Sequence, residues 1–354
     1  MDQLRIGFVG CGFMGQLAHI ANYATMPEVH MSALADPRPQ TRELVARRYD
    51  IEQVYATHEE LLEKGNVDAV VAVLPYQFHH VVVPRVLSSG KPLLTERPIS
   101  VNRSQAERFV ELADQQGVIY QVGYMKRCDP ATRRMKEFIA DWRNTQEFGR
   151  LRYFRVSMPP GDWLMNISGL LGLSDQPEGD ELAHEPFPEH LQGQTLEEYR
   201  AFVNFYLHQV NLIRYLLAED FTVQYVDHAG TVMIARSRSG VTIALEMDTY
   251  HVRNEWHEFY TACFEKGKMS LALPAPMARQ RCGQLRIYRN TIQGASYEQP
   301  MLEPLWCMQE QARMFVQAVN GDIPNVSPAS EAVRDLEIAD AVIQKHREAQ
   351  EQMP

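Results

Sequence analysis

The string Gly10-Cys11-Gly12-Phe13-Met14-Gly15 constrains this chain more than any other feature. It fits G-x-G-x-x-G, which means little alone because glycine is common. Its surroundings give it force. The apolar run Leu4–Val9 precedes it as a strand. Helical spacing through Met14, Leu17, Ile20 and Ala21 follows it, and a second strand pattern, Val29–Ala35, runs into Asp36. In such a strand–turn–helix, Gly10 permits the tight turn, Gly12 lets the backbone approach a pyrophosphate, and Gly15 lets the helix pack on the sheet. Phe13 and Met14 sit at the helix start, where free N–H groups and the positive dipole end favour phosphate. Asp36 lies 21 residues beyond Gly15. There its carboxylate suits the hydroxyls of an adenosine ribose and repels a 2′-phosphate, so NAD is expected over NADP. Arg38 is a caution, because a guanidinium at this place would serve NADP.

The alternation continues. Residues 54–56 read as a weak strand and 59–64 as a short helix. Residues 67–74 are nearly all apolar, as a strand buried on both faces should be. Residues 80–88 read as a helix stopped at Gly90, and 91–95 as a strand. Arg103–Gln116 reads as a helix stopped at Gly117, and 118–122 as a strand. Six strands with helical crossovers predict a doubly wound parallel sheet, a Rossmann domain over residues 1–125.

Residues 126–354 follow another pattern. An amphipathic helix over 129–142 and a period-two strand over 151–158 are followed by an irregular stretch to about residue 194. Such a length without regular structure points to a functional cover or a partner-binding segment. A helix is expected from Thr195, with Thr195 and Glu198 as a capping box. Closely joined strands at 221–228, 232–236, 241–250, 258–264, 268–273 and 285–289 predict an α+β domain on a large, open, mostly antiparallel sheet. Helices over 310–320 and 329–350 close the chain.

Composition limits the function classes. The chain has 354 residues, and a formal net charge of −10 argues against nucleic-acid and membrane-surface partners. Its five cysteines form no C-x-x-C pair and no His/Asp/Glu cluster has ligand spacing, so no metal site is expected. No apolar run approaches a membrane span, and the first residues lead directly into a strand, so the expectation is a reduced, cytoplasmic enzyme.

Several ordered motifs beyond the fingerprint carry a family resemblance. They are Leu74-Pro75-Tyr76-Gln77-Phe78-His79, Gly90-Lys91-Pro92, Glu96-Arg97-Pro98, Gly123-Tyr124-Met125-Lys126-Arg127-Cys128-Asp129-Pro130, and the closing helix through residues 331–343. With them the chain resembles the Gfo/Idh/MocA oxidoreductases over nearly its whole length. The resemblance implies a dehydrogenase acting on sugars, cyclitols or their derivatives. It implies cofactor contacts from Leu74, Pro75, His79, Glu96 and Arg97, and substrate contacts from Tyr76, Arg97 and Tyr124. A structural role for His79 stands beside that reading. The resemblance also implies assembly into a homodimer or homotetramer through the free face of the C-terminal sheet, for which Val241, Ile243, Leu245 and Met247 form the expected apolar side.

The departures from the family pattern bear on chemistry. The family's E-K-P lysine, which assists proton transfer, is Arg97 here, and a guanidinium stays protonated. The family's D-x-G-x-H-x-x-D matches best at Asn204 to Asn211, where only His208 survives. Asn204, His208 and Asn211 are spaced four and three apart, so one continuous helix would place them on one strip, in a polar pocket or in a structural or solvent-facing network. The resulting expectation is His208 as proton acceptor, Arg97 as electrostatic anchor and Asn204 beside them. Two alternatives stay open: a degenerate member that binds the dinucleotide as sensor or structural element, and a tightly held NAD assisting an elimination or glycoside cleavage without net redox change. Trp163 and Trp306 read as core residues.

Overall fold

The computed structural model describes residues 3–159, 161–169, 171–172, 175–178, 182–247 and 254–352. Two compact units are present. The first contains residues 1–125 together with 168–190 and 308–336; the second contains the remainder. Two segments that follow Met125 in the chain, 168–190 and 308–336, return to the first unit.

In the first unit, β1 (Leu4–Val9), β2 (Val29–Ala35), β3 (Gln53–Tyr55), β4 (Ala69–Ala72), β5 (Leu93–Glu96) and β6 (Tyr120–Gly123) form one sheet in the order β3-β2-β1-β4-β5-β6. Every pairing is parallel. The order reverses between β1 and β4, which is where an open α/β sheet leaves its ligand crevice. All four β4 residues are fully buried, which explains their unbroken apolar run. Crossover helices start on side-chain caps: Thr57 accepts from the Glu60 amide at 3.3 Å and Asn102 from the Ser104 amide at 2.9 Å. Ile6, Phe8, Ile20, Tyr23, Leu34 and Val71 join Phe315 and Val316 of the returning segment in one apolar cluster.

The second unit is built on an eight-stranded sheet: β7 (Leu151–Ser157), β8 (Phe221–Val226), β9 (Val232–Ser237), β10 (Thr242–Glu246), β11 (Phe259–Phe264), β12 (Gly267–Ala272), β13 (Gln284–Thr291) and β14 (Gly294–Glu298), in the order β14-β13-β12-β11-β7-β10-β9-β8. All pairings are antiparallel except β7 with β10. The helix Pro130–Thr145 packs on β12 and β13. Val241, Ile243, Leu245 and Met247 are buried within the chain at 4% exposure or less, so they belong to the covered face of the sheet. The outward face alternates with them and carries exposed Phe259 and Tyr225. Residues 248–250, the end of the expected strand 241–250, lie outside the described residues.

The helix expected from Thr195 is two helices, Gln194–Phe205 and Leu207–Leu217, that meet at Tyr206, where φ is −109°. Gly193 stands at the N-cap with φ 55°, and no side chain caps the helix there. Thr195 is already inside the first turn, so the Thr195–Glu198 capping box does not form. Trp306 is buried, whereas Trp163 is 39% exposed and is not a core residue.

Candidate functional site

The three fingerprint glycines have different surroundings. β1 runs into Gly10, which has φ +91° and donates its amide to the Ala35 carbonyl at 2.8 Å. A Cβ there would collide with the Val73 carbonyl oxygen. A Cβ on Gly15 would lie 2.7 Å from the Gly10 oxygen. Both positions are closed by backbone. At Gly12 a Cβ would meet only Arg38 Nη2 at 3.8 Å, so this glycine faces open space. A bare backbone facing open space at a helix start fits a pyrophosphate. The helix that follows opens as a π-helical turn over Gly15–Ile20, and Phe13 and Met14 at its mouth are half-buried.

Asp36, at the end of β2, is buried and saturated. Its Oδ2 accepts from the Cys11 amide at 2.8 Å and Arg38 Nη2 at 2.7 Å; its Oδ1 accepts from the Arg38 amide at 3.0 Å and Nε at 2.8 Å. Burial alone would push this carboxyl up, but the Arg38 fork and the two amides outweigh it and hold it below the usual range. A ribose hydroxyl reaching Asp36 would therefore share it with Arg38.

At the other end of the sheet edge, the chain leaves β4 through half-buried Leu74 and exposed Pro75 into a tight turn, Tyr76–Phe78. His79 follows, fully buried, with Nδ1 at 3.0 Å from the Ile99 carbonyl. Burial pushes its pKa down to about 4, so it is neutral. His79 braces two loops of the rim and presents no surface to a ligand, which corrects the cofactor contact expected of it.

Glu96 ends β5. Its Oε1 lies 2.8 Å from His19 Nε2, and its Oε2 accepts from the Arg97 amide at 3.4 Å. Burial pushes Glu96 up, but His19 and Arg97 hold it below its ordinary value. A Cβ on Gly123 would come within 3.1 Å of Glu96 Oε2, so β6 ends in glycine where this carboxylate needs room. Burial pulls the Arg97 guanidinium down, against attraction from Glu96 and then Tyr124 and Tyr76. Tyr76, Glu96, Arg97 and Tyr124 thus share one electrostatic neighbourhood at the carboxyl ends of β4, β5 and β6. His19 escaped the sequence reading. Its carboxylate partner is 77 residues away.

In the second unit the polar side chains gather around Glu258, which is fully buried. Lys126 Nζ donates to both its oxygens at 2.6 and 2.7 Å. Gln209 Nε2 and Tyr260 Oη donate to Oε1 at 2.7 Å each, and Trp256 Nε1 to Oε2 at 3.2 Å. Arg127 Nε donates to Asn211 Oδ1 at 2.6 Å, also out of solvent. Asp129 caps the helix Pro130–Thr145 through the Ala131 and Thr132 amides and also accepts from the Gly283 amide; burial dominates and pushes it up to about 6. Asn204 is exposed, His208 half-buried and Asn211 buried. The three therefore differ in burial, from exposed Asn204 to buried Asn211, and Asn211 is engaged by Arg127.

Among the described residues no three His, Cys, Asp or Glu side chains are grouped to hold a metal, and no helix is long and apolar enough to cross a membrane.

A family model described as oxidoreductase family, NAD-binding Rossmann fold, matches residues 4–124. The chain is 26% identical over 303 residues to inositol 2-dehydrogenase of Corynebacterium glutamicum strain R, covering 81% of this chain and 79% of that protein. It is 29% identical over 174 residues to scyllo-inositol 2-dehydrogenase (NAD(+)) of Bacillus subtilis strain 168, covering 48% of this chain and 49% of that one. A 3-ketoreductase from Actinomadura kijaniata, solved with TDP-benzene and NADP, superimposes with a TM-score of 0.69 at 20% identity, covering 97% of this chain and 98% of that chain.

Proposed function

We propose, from the match of residues 4–124 to the Gfo/Idh/MocA oxidoreductase family model and the likeness to inositol dehydrogenases, that the chain is a member of that family and an NAD-dependent dehydrogenase of a cyclitol, sugar or sugar acid. The observation that carries the reading is the open space over Gly12 with the Asp36 carboxylate standing at the end of the next strand. Gly10, Gly12, Gly15, Phe13 and Met14 would hold the pyrophosphate end, Asp36 the ribose, and Leu74, Pro75, Glu96 and Arg97 the far end. The nicotinamide, when bound, exchanges a hydride with a carbon bearing a hydroxyl or keto group.

The protein's own part is positioning and proton management. Arg97 stays cationic at neutral pH even with burial pulling on it, so it holds an anion or a polarised oxygen and takes no proton. An arginine fork suits a carboxylate or phosphate on the substrate, and Tyr76 and Tyr124 supply hydroxyls to the same neighbourhood. The amide of Asn204 does not titrate. We therefore assign the proton to His208, an imidazole being suited to transfer near neutrality. The outward face of the eight-stranded sheet, with exposed Phe259 and Tyr225, is the surface we assign to a dimer or tetramer; light scattering at the 40.6 kDa of one chain would rule that out.

The deciding experiment is a screen of cyclitols, sugars and sugar acids with NAD and NADP, read as nicotinamide reduction. The replacement of the family lysine by Arg97 favours one second reading: a dinucleotide held without net redox turnover. Cofactor that copurifies and is not consumed, with no absorbance change on any substrate, would select it.

A further inference from the structure

One segment of the first unit is unaccounted for by the fingerprint or the family motifs. Residues 168–190 lie in the chain between β7 and the helix Gln194–Phe205, yet they belong to the first unit. Gln16, the residue after the last fingerprint glycine, clasps Gly172 from both sides: Nε2 donates to its carbonyl at 2.8 Å and Oε1 accepts from its amide at 2.9 Å. A Cβ on Gly172 would strike Leu44. The Glu178 amide donates to Pro37 O at 2.8 Å and the Glu185 amide to Gln77 O at 2.9 Å. Gly172, Glu178 and Glu185 therefore touch the loops after β1, β2 and β4, the carboxyl edge along which a dinucleotide lies in this fold.

Its contact with the loop after β2 is chemically specific. The helix Pro39–Tyr49 begins at Arg38, which gives it no side-chain cap. Asp175 supplies one from 135 residues away. Its Oδ2 accepts from the Gln40 amide at 2.6 Å, and its Oδ1 from the Thr41 amide at 3.1 Å and from the Thr41 hydroxyl. Two amides and a hydroxyl at a helix start, with the Arg38 guanidinium attracting the same carboxylate, form a donor set that takes a phosphate. This set stands four and five residues beyond Asp36, beside the ribose position.

Charge decides what the place admits. Asp36 is the residue expected to reject a 2′-phosphate, but the Arg38 fork neutralises it. Asp36 and Arg38 together carry no net charge. A bare helix start and an arginine beside them would be hospitable to NADP. Arg42 stands here too, its Nη1 donating to the Asp36 carbonyl at 3.1 Å, so without Asp175 the cluster is net positive; Asp175 cancels that charge and engages the donors.

Resting on the dinucleotide reading above, we propose that Asp175 is a specificity-determining residue for the cofactor: its carboxylate occupies the anion position at the start of the helix Pro39–Tyr49 and excludes the 2′-phosphate of NADP. Asp175→Asn tests this, because asparagine caps a helix about as well as aspartate while removing the charge. Dissociation constants of NADH and NADPH are measured by calorimetry, without turnover, for the wild type, Asp175→Asn and Asp175→Ser. NADPH should bind roughly tenfold tighter or better to both variants, with NADH within about threefold of its wild-type value. Adding Arg38→Ala to Asp175→Asn should abolish the gain. NADPH affinity unchanged in both variants, or both cofactors shifting equally, overturns the assignment and leaves the dinucleotide reading standing. A wild type that binds neither cofactor overturns both.

Discussion

The buried cluster around Glu258 makes the most quantitative prediction. Lys126→Met removes an ammonium that lies 2.6 and 2.7 Å from the two carboxylate oxygens. It leaves Glu258 still accepting from Gln209, Tyr260 and Trp256. Breaking a buried pair from one side costs about 3–5 kcal/mol, and the three remaining donors place this variant near the low end, about 3 kcal/mol. Glu258→Leu strands the ammonium and releases all four donors, so it should cost about 5 kcal/mol. Replacing both residues removes the stranded charges together. What then remains is the loss of the acceptor for Gln209, Tyr260 and part-buried Trp256, about 2–4 kcal/mol, instead of the ~8 kcal/mol that additivity gives. The coupling of at least about 4 kcal/mol is read from urea denaturation of the wild type and three variants, followed by far-ultraviolet circular dichroism. Single variants costing under ~1 kcal/mol, or a double variant equal to their sum, would show that the ion pair does not act as a unit.

Three further outcomes follow from the first unit and the assigned chemistry. Gly12→Val should weaken NADH binding by about a hundredfold or more while barely changing thermal stability, because its Cβ enters open space; a variant that binds NADH normally would remove Gly12 from the cofactor site. Burial raises the Glu185 pKa to about 7 despite a hydrogen bond from Ser100, so its stabilising contribution is complete below its ordinary value of 4.5 and is lost as pH rises through 7. Glu185→Gln should therefore equal the wild type near the acid end and exceed it by about 1–2 kcal/mol at pH 8, after discounting for partial solvent screening; a difference that does not vary with pH would refute the shift. On a substrate found in the screen, Arg97→Lys should lower kcat/KM for acidic substrates by about tenfold relative to neutral ones, and His208→Ala should lower kcat by roughly 10²-fold or more and alter its pH profile. Acidic substrates inert with both forms of residue 97, or an unchanged profile without His208, would refute the respective role.

The first unit was legible because its signals are local. A parallel strand buried on both faces reads as an apolar run, as Ala69–Ala72 does, and Gly117 stops its helix in the left-handed conformation at φ 64°. The mostly antiparallel second sheet was legible from period-two strands with short joints. The side on which each alternating set lies was not, because alternation fixes two faces without naming the covered one. Val241 through Met247 were assigned to the wrong face for that reason. The helix around His208 failed differently. Its apolar spacing runs through Tyr206 without interruption, so the division into two helices there left no mark on the pattern.

Site residues were legible as far as backbone motifs reach and no further. The fingerprint specifies a local conformation, and the turn at Gly10 with the open position at Gly12 is local. The electrostatic character of the site comes from partners distant in sequence: His19 for Glu96, Glu258 for Lys126, Asp175 for the helix after Arg38. None of these pairings has a spacing that propensity or periodicity can encode, since each is set by which loops share a sheet edge or by which side chains share a core. Asp36 shows the consequence. As a sequence position it is an acid that rejects phosphate, but Arg38 is forked onto it and Arg42 donates to its carbonyl, and the carboxylate that offsets the second guanidinium lies 139 residues further along the chain.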